Sequence, residues 1–323
     1  MEAVAKRKHR LTANKRRELL TYICFLAWPT IQFLIFYVVV NANSILLAFQ
    51  EYDTTTYSFV FASQPFENLK LAFAQFFTGT SGELGNGSEV LYSLLFYACS
   101  ILISVPLGLM FSYYIYKKFP CSGFFRIILF LPQIVSSIVT ATLYCAFVKY
   151  PIPELIFNLT GNDELIGRGL LETKQYAFWT VLFYNVWSGF GANILMYSNK
   201  MSTISNEVIE AANIDGATGL KEFWHIVLPQ VYPTLCVFLV SGVAGIFVNQ
   251  WNLVSLYPNY DSATIRTFGY YFFFMAQRGS SDNVQYLQMY PYLSAMGLVI
   301  AIVIIPIVFA LKKVLAVVGP SEK

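Results

Sequence analysis

The residues of this chain whose types and spacing could act on a ligand are uncharged. Gln133 and Ser137 stand four residues apart, one helical turn. Asn185, Gly189 and Ala192 follow at i, i+4 and i+7, which places them on one helix face. Asn249 and Asn252 are three residues apart, and Trp187 and Trp251 lie close by. Amides and hydroxyls of this kind pair with ligand hydroxyls, and indole rings cover the flat faces of sugars. With no carboxylate, ammonium or imidazole among them, the set offers no acid–base pair. It suits a neutral polyhydroxylated ligand. The same residue types also hydrogen-bond helix to helix within membranes, and for any single residue both readings stand.

A second stretch is polar and punctuated: EAANIDGATGLKEFWHIVLP, residues 210–229. Ser205 or Asn206 can cap a first short helix, with Glu207 and Glu210 early in it, favourable toward its dipole. Asp215-Gly216 is turn chemistry, because glycine tolerates the positive φ of a reversal. Thr218 can cap a second helix carrying Phe223, Trp224, Ile226 and Val227, and Pro229 marks the return to apolar sequence. Helices this short are marginal in water and need a surface to pack on.

The elements that must carry these residues follow from composition. The chain has 323 residues, of which 12% are charged and 56% hydrophobic. A soluble domain carries about 25% charged residues, so polar groups cannot cover this one, and lipid is its expected solvent. Six apolar runs are long enough for a ~30 Å hydrocarbon core: roughly 22–40, 91–116, 124–147, 176–197, 231–252 and 290–311. Backbone groups cannot stay unpaired in lipid, so each run is expected to be a helix. The expected fold class is therefore an all-α polytopic membrane protein with six transmembrane helices. Residues 1–20 form a basic arm, residues 21–323 the membrane domain, and residues 200–229 a loop between the fourth and fifth spans.

Orientation follows from Lys and Arg. The amino-terminal arm holds seven of them between Lys6 and Arg17; Lys117, Lys118, Arg126, Lys200, Lys221, Lys312, Lys313 and Lys323 fall on the same side. The opposite side has only Lys70, Lys149, Arg168, Lys174, Arg266 and Arg278. The positive-inside rule then puts both termini and the 200–229 loop in the cytoplasm. The basic arm reads as this topology signal rather than as a nucleic-acid patch, so no nucleic-acid partner is expected. The first apolar run is too long for the core of a cleaved signal peptide and is followed by no small-residue cleavage site. On the outer side, 50–89, 149–175 and 255–288 are expected as long loops.

Several function classes are excluded. No run holds an ionisable residue in its interior, which argues against proton or sodium coupling. Five scattered cysteines form no CxxC pair, and His9 and His225 stand far apart, so no metal site is expected. The chain has no GxxxxGK[ST] and cannot cradle ATP through a P-loop. An energy source must come from a partner.

The 210–229 stretch carries a resemblance. Glu210, Ala211, Ala212, Gly216, Ile226, Leu228 and Pro229 occupy the signature positions of the EAA loop of binding-protein-dependent ABC importer permeases. FRIILFLPQIVSS and NVWSGFGANILMY are similar to third- and fourth-span segments of the sugar permeases, so the resemblance runs from about Leu91 to Leu311. The chain most resembles the larger permease of maltose-type importers. It departs in lacking a Pro ahead of the EAA helix, in having Ala192 where an aromatic is common, and in reading YPNYDSAT after the fifth span.

The resemblance implies a type I ABC importer permease fold. Glu210, Ala211, Ala212, Asp215, Gly216, Ala217 and Thr218 would contact an ATPase. Gln133, Ser137, Asn185, Trp187, Gly189, Asn249, Trp251 and Asn252 would lie along a substrate path. It further implies no catalytic residue and no cofactor on this chain, with ATP and magnesium bound by the partner. The implied partners are a second permease subunit, two copies of an ABC ATPase and an extracytoplasmic solute-binding protein, in a bacterial cell membrane. The expected function is the import of a neutral sugar or oligosaccharide. The alternative is an ABC permease for a phosphodiester, peptide or amino acid. A membrane enzyme or sodium-coupled carrier would have no use for an ATPase-docking hairpin.

Overall fold

The computed structural model describes residues 13–78, 88–161, 163–278 and 287–319. Most of the basic arm, the Gly/Ser-rich patch at 79–87 and Lys323 lie outside the described residues. Helix α1 (Ala13–Gln32) runs on through a π segment, Phe33–Val39, and Val40–Leu47. A two-stranded antiparallel hairpin follows, β1 (Gln50–Asp53) and β2 (Ser58–Phe61). Then come α2 (Glu67–Thr78), α3 (Ser88–Tyr116), α4 (Ser122–Ile134), α5 (Ser137–Lys149), α6 (Pro151–Thr160) and α7 (Lys174–Met201). The rest comprises α8 (Asn206–Ile214), α9 (Leu220–Ala244), α10 (Leu253–Leu256), α11 (Phe268–Arg278) and α12 (Met289–Val318).

Among the described residues, α1 from Arg17, α3, α9 and α12 are long and apolar enough to cross a bilayer. The expected fourth span is α7. Its 28 residues reach about 42 Å, but Asn185, Ser188 and Asn193 make it less apolar than the other four. Side chains of α1 such as Phe25 and Trp28 are exposed on the isolated chain, as on a lipid-facing helix. The protein is a multi-pass membrane protein.

Three expectations are corrected. The third run is not one helix: α4 and α5 meet at a 101° bend. Pro132 weakens the last turn of α4, and Val135 and Ser136 are extended, with ψ of 144° and 133°. Irregular backbone at membrane depth is tolerated only against protein or a water-filled cavity, so the break itself marks a cavity wall. The fifth run ends at Ala244, and Gly245 to Asn252 form a turn, so Asn249 and Asn252 do not share a helix face.

The outer segment 255–288 is not simply a loop. Tyr270, Tyr271 and Met275 of α11 are buried in the largest core cluster. Burial pushes the Tyr257 hydroxyl above its ordinary range, so it stays a donor, and it bonds Leu171 O at 2.7 Å. The all-α class holds, with one small addition in which β1 and β2 pair after α1. The Asp53 carboxylate closes their turn on the Thr55 N–H and Thr56 Oγ1, both at 2.8 Å, and these bonds hold it below the usual carboxylate range.

Helix α7 is the centre of the packing. Lipid is as apolar as a leucine side chain, so close backbone approach and polar pairing hold such helices together. At Gly191 the backbones of α4 and α7 meet: a Cβ there would stand 2.8 Å from Leu129 O and Phe130 Cα. On the α3 side, Gly108 packs on the Tyr197 ring, Ser112 Oγ donates to Ile194 O at 3.2 Å, and Asn193 Nδ2 to Ser104 Oγ at 3.3 Å.

Candidate functional site

The α4–α5 break, the middle of α7 and the turn after α9 line a cavity of about 820 Å³ that opens widely at the surface of the chain. That volume is within the roughly 300–1,000 Å³ of small-molecule sites. Gln133, Ser137, Asn185, Gly189, Asn249, Trp251 and Asn252 all line it, and no charged residue does. Trp187 is not in the lining; its ring stands beside Tyr184, with centroids 6.2 Å apart. The lining also includes Ser136, Thr140, Tyr184 and Ser188, which the sequence reading missed. Tyr184 and Ser188 adjoin Asn185 and Gly189, and Ser136 adjoins Ser137, so adjacency to residues already singled out was the available signal.

The polar groups here are not equivalent. Asn185 uses both amide protons, on Val181 O at 2.9 Å and Trp251 O at 2.8 Å. Its Oδ1 accepts from Asn252 Nδ2 at 2.9 Å. Asn249 Oδ1 accepts from the Trp251 N–H, also at 2.9 Å. These bonds pin Trp251 and Asn252, consecutive residues with φ of 52° and 54°. The left-handed region costs a residue other than glycine about 1–2 kcal/mol. Trp251 is further held against Phe96, with ring centroids 5.8 Å apart. Gly269 closes the turn from behind: a Cβ there would stand 2.4 Å from Asn249 O. Asn185 therefore fastens the cavity wall. By contrast, the Ser137 hydroxyl has no partner among the described residues, and Gln133 spends one proton on Gly189 O at 3.3 Å. These two retain bonding capacity for a solute.

The second candidate region is the 200–229 loop. Ser205 is the N-cap of α8, although its side chain makes no capping bond. Gly216, at φ 77°, reverses the chain, and Ala217 N–H bonds Ala212 O at 2.9 Å. Glu210, Ala211, Asp215, Gly216 and Thr218 are exposed, Ala217 is half-buried and Ala212 is buried.

The second limb differs from expectation in two ways. Thr218 is not its cap, since Gly219 at φ 60° precedes the first helical residue. It also does not stop at Pro229, because Leu220–Ala244 is continuous through a π segment, Phe223–Val227. Proline lacks an N–H and its ring crowds the carbonyl four residues back. The wider turn, in which the Leu228 N–H reaches Phe223 O, absorbs this.

Sequence reasoning also missed what anchors this limb. Glu222 is 1% exposed, and Lys117 Nζ lies 2.7 Å from each of its carboxylate oxygens. Tyr113 donates its hydroxyl to Gly219 O at 3.0 Å and packs edge-on against Phe223. Lys117 was visible only as a topology charge. Nothing in the spacing of the two residues, 105 apart, pairs them.

The chain is similar to a probable ABC transporter permease protein, MG188, of Mycoplasma genitalium, with 29% identity over 52% of this chain and 50% of that protein. The probable ABC transporter permease protein YurN of Bacillus subtilis is 29% identical over 57% of this chain and 63% of its own length. The chain thus spans about half to under two thirds of these relatives. The multiple sugar-binding transport system permease protein MsmF of Streptococcus mutans aligns further, at 23% identity over 87% of this chain and 90% of that one. In structure, the chain is similar to a subunit of a bacterial ABC transporter involved in the import of the acidic polysaccharide alginate. The TM-score is 0.72 at 19% identity, covering 95% of this chain and 98% of that one. That likeness shows the fold, an ABC importer permease fold. Residues 104–321, more than half of the sequence, match the family described as binding-protein-dependent transport system inner membrane component, and the chain belongs to that family.

Proposed function

We propose that this chain is the transmembrane subunit of an ATP-driven importer and forms half of the path for a neutral sugar or oligosaccharide. It sits in a bacterial cell membrane with both termini in the cytoplasm. A second permease subunit completes the path, and an extracytoplasmic binding protein delivers the solute. Two copies of an ABC ATPase bind ATP and magnesium, and one takes the exposed side of this hairpin, from Glu210 in α8 through the turn to Thr218. The chain itself carries no catalytic residue and no cofactor.

The observation that carries this reading is the uncharged lining of the 820 Å³ cavity in a chain of this family. Desolvating a charged solute without a counter-charge is costly, whereas hydroxyls pair with amides and serines at little loss. Substrate-path roles fall to Gln133, Ser137 and Asn249, with Gly189 and Trp251 shaping the wall.

Uptake into proteoliposomes that hold this chain with its companion subunits tests the reading. A neutral oligosaccharide should accumulate only when ATP and the binding protein are present. Accumulation of a phosphodiester, peptide or acidic saccharide, with neutral sugars ignored, would replace the neutral-sugar assignment by the alternative.

A further inference from the structure

We propose that Lys117 and Glu222 are positioning residues that carry movement of the 200–229 hairpin into α3 and so to the cavity helix α7. This rests on the transport reading above. The hairpin's first limb hangs from the end of α7 through the short 202–205 link. Its second limb is tied elsewhere, to the inner end of α3, by the 2.7 Å ion pair and by Tyr113.

Burial distinguishes this pair from a surface ion pair. Glu222 is fully enclosed although it lies three residues past a glycine cap on a largely exposed hairpin. The Tyr113 and Tyr116 rings stand 5.9 and 6.0 Å from Lys117 Nζ. A buried ion pair is poor evidence of stability, because well-packed apolar residues of similar volume serve as well. What it provides is a directional link anchored on an enclosed carboxylate, while the Lys117 side chain stays a quarter exposed.

The route continues from the turn after α3 along that helix, which Pro106 interrupts between its two contacts with α7. From Lys117 it runs down α3 to Ser112 and Ser104, which bond Ile194 and Asn193 of α7. Nine helical residues, about 13.5 Å, then separate Ile194 from Asn185 at the cavity. A shift of the hairpin against α3 therefore appears at the α4–α5 break as movement of α7 against that wall.

The test uses the purified complex with the five native cysteines replaced and Ser136→Cys placed in the cavity wall. Its labelling rate by a small maleimide is read with and without the non-hydrolysable nucleotide AMP-PNP. In the parent complex the nucleotide should change the rate by about fivefold or more. Glu222→Gln and Lys117→Met should bring that ratio close to one while the ATPase still co-purifies. Lys117→Arg should keep the ratio, and the exchange of both charges, Lys117→Glu with Glu222→Lys, should restore much of it. A parental ratio in the single variants would overturn the proposal. So would loss of assembly in the single variants that the exchange repairs without restoring the nucleotide response. A parent complex that ignores nucleotide, or carries no ATPase, would instead remove the transport reading itself.

Discussion

The cavity turn and the 200–229 hairpin are both reversals of the chain, and they are held in opposite ways. At the cavity, Trp251 and Asn252 occupy the left-handed region without being glycine. Three asparagine side chains fix them there. At the hairpin, glycines take the positive φ at 216 and 219, no side chain caps either helix, and most of the first limb is exposed. Strain is retained where the surrounding structure over-determines it, and the cavity turn meets that condition. The contrast fits a wall whose shape must be set by this chain alone, and a hairpin whose outer face is completed by a partner.

The sharpest way to break the comparison is at the most crowded point of the cavity turn. Gly269→Val would drive a side chain into Asn249 O and Val248 O, both backbone atoms that cannot swing aside. A loss of roughly 3 kcal/mol is expected, near the upper end of overpacking costs. The yield and apparent melting temperature of the purified complex should both fall. A Gly269→Val complex as stable as the parent would show that the turn is adjustable.

Asn185→Ala comes next. It strips a partner from the exposed Asn252 amide and from Trp251 O, and a buried carbonyl left unpaired costs about 1–3 kcal/mol. Stability and uptake should decline together, since the side chain spends both amide protons and one Oδ1 lone pair on holding the wall. Normal stability with impaired uptake would return Asn185 to a direct role in binding.

At the hairpin the expectation reverses. The Glu210 side chain is exposed and bonds nothing among the described residues, so Glu210→Lys should change stability by no more than about 0.5 kcal/mol. Binding-protein-stimulated ATP hydrolysis and uptake should nonetheless be lost. A variant with normal uptake and normal assembly would end the docking role of this face.

Much of this division was legible in the sequence because it rests on local properties. Apolar run length located the helices, and seven residues at fixed spacing located the hairpin. Seven of the eight residues chosen for the substrate path line one cavity, because neutral polar groups in apolar runs are scarce enough to stand out. What was not legible depends on direction and on distant partners. An apolar run does not say whether it bends, so the 101° break after Ile134 and the early end of α9 were invisible. Trp187 was chosen by proximity in sequence, although α7 turns it away from the lining. The Lys117–Glu222 pair joins positions 105 residues apart, and neither position announces the other. The buried α11 was read as a loop because its eleven residues are too few to span a bilayer.

The central claim is that solute meets this chain at the uncharged cavity, and Ser137 tests it most directly. Its hydroxyl is exposed in the lining and has no partner among the described residues, so replacement should leave the fold unchanged. The measurement is the rate at which Ser137→Cys, in an otherwise cysteine-free complex, reacts with a small maleimide as a neutral oligosaccharide is titrated in with its binding protein and ATP. The account predicts that a transported neutral sugar slows the reaction several-fold and that charged solutes do not. Labelling that no neutral sugar slows, while an anionic solute protects the thiol, would contradict it.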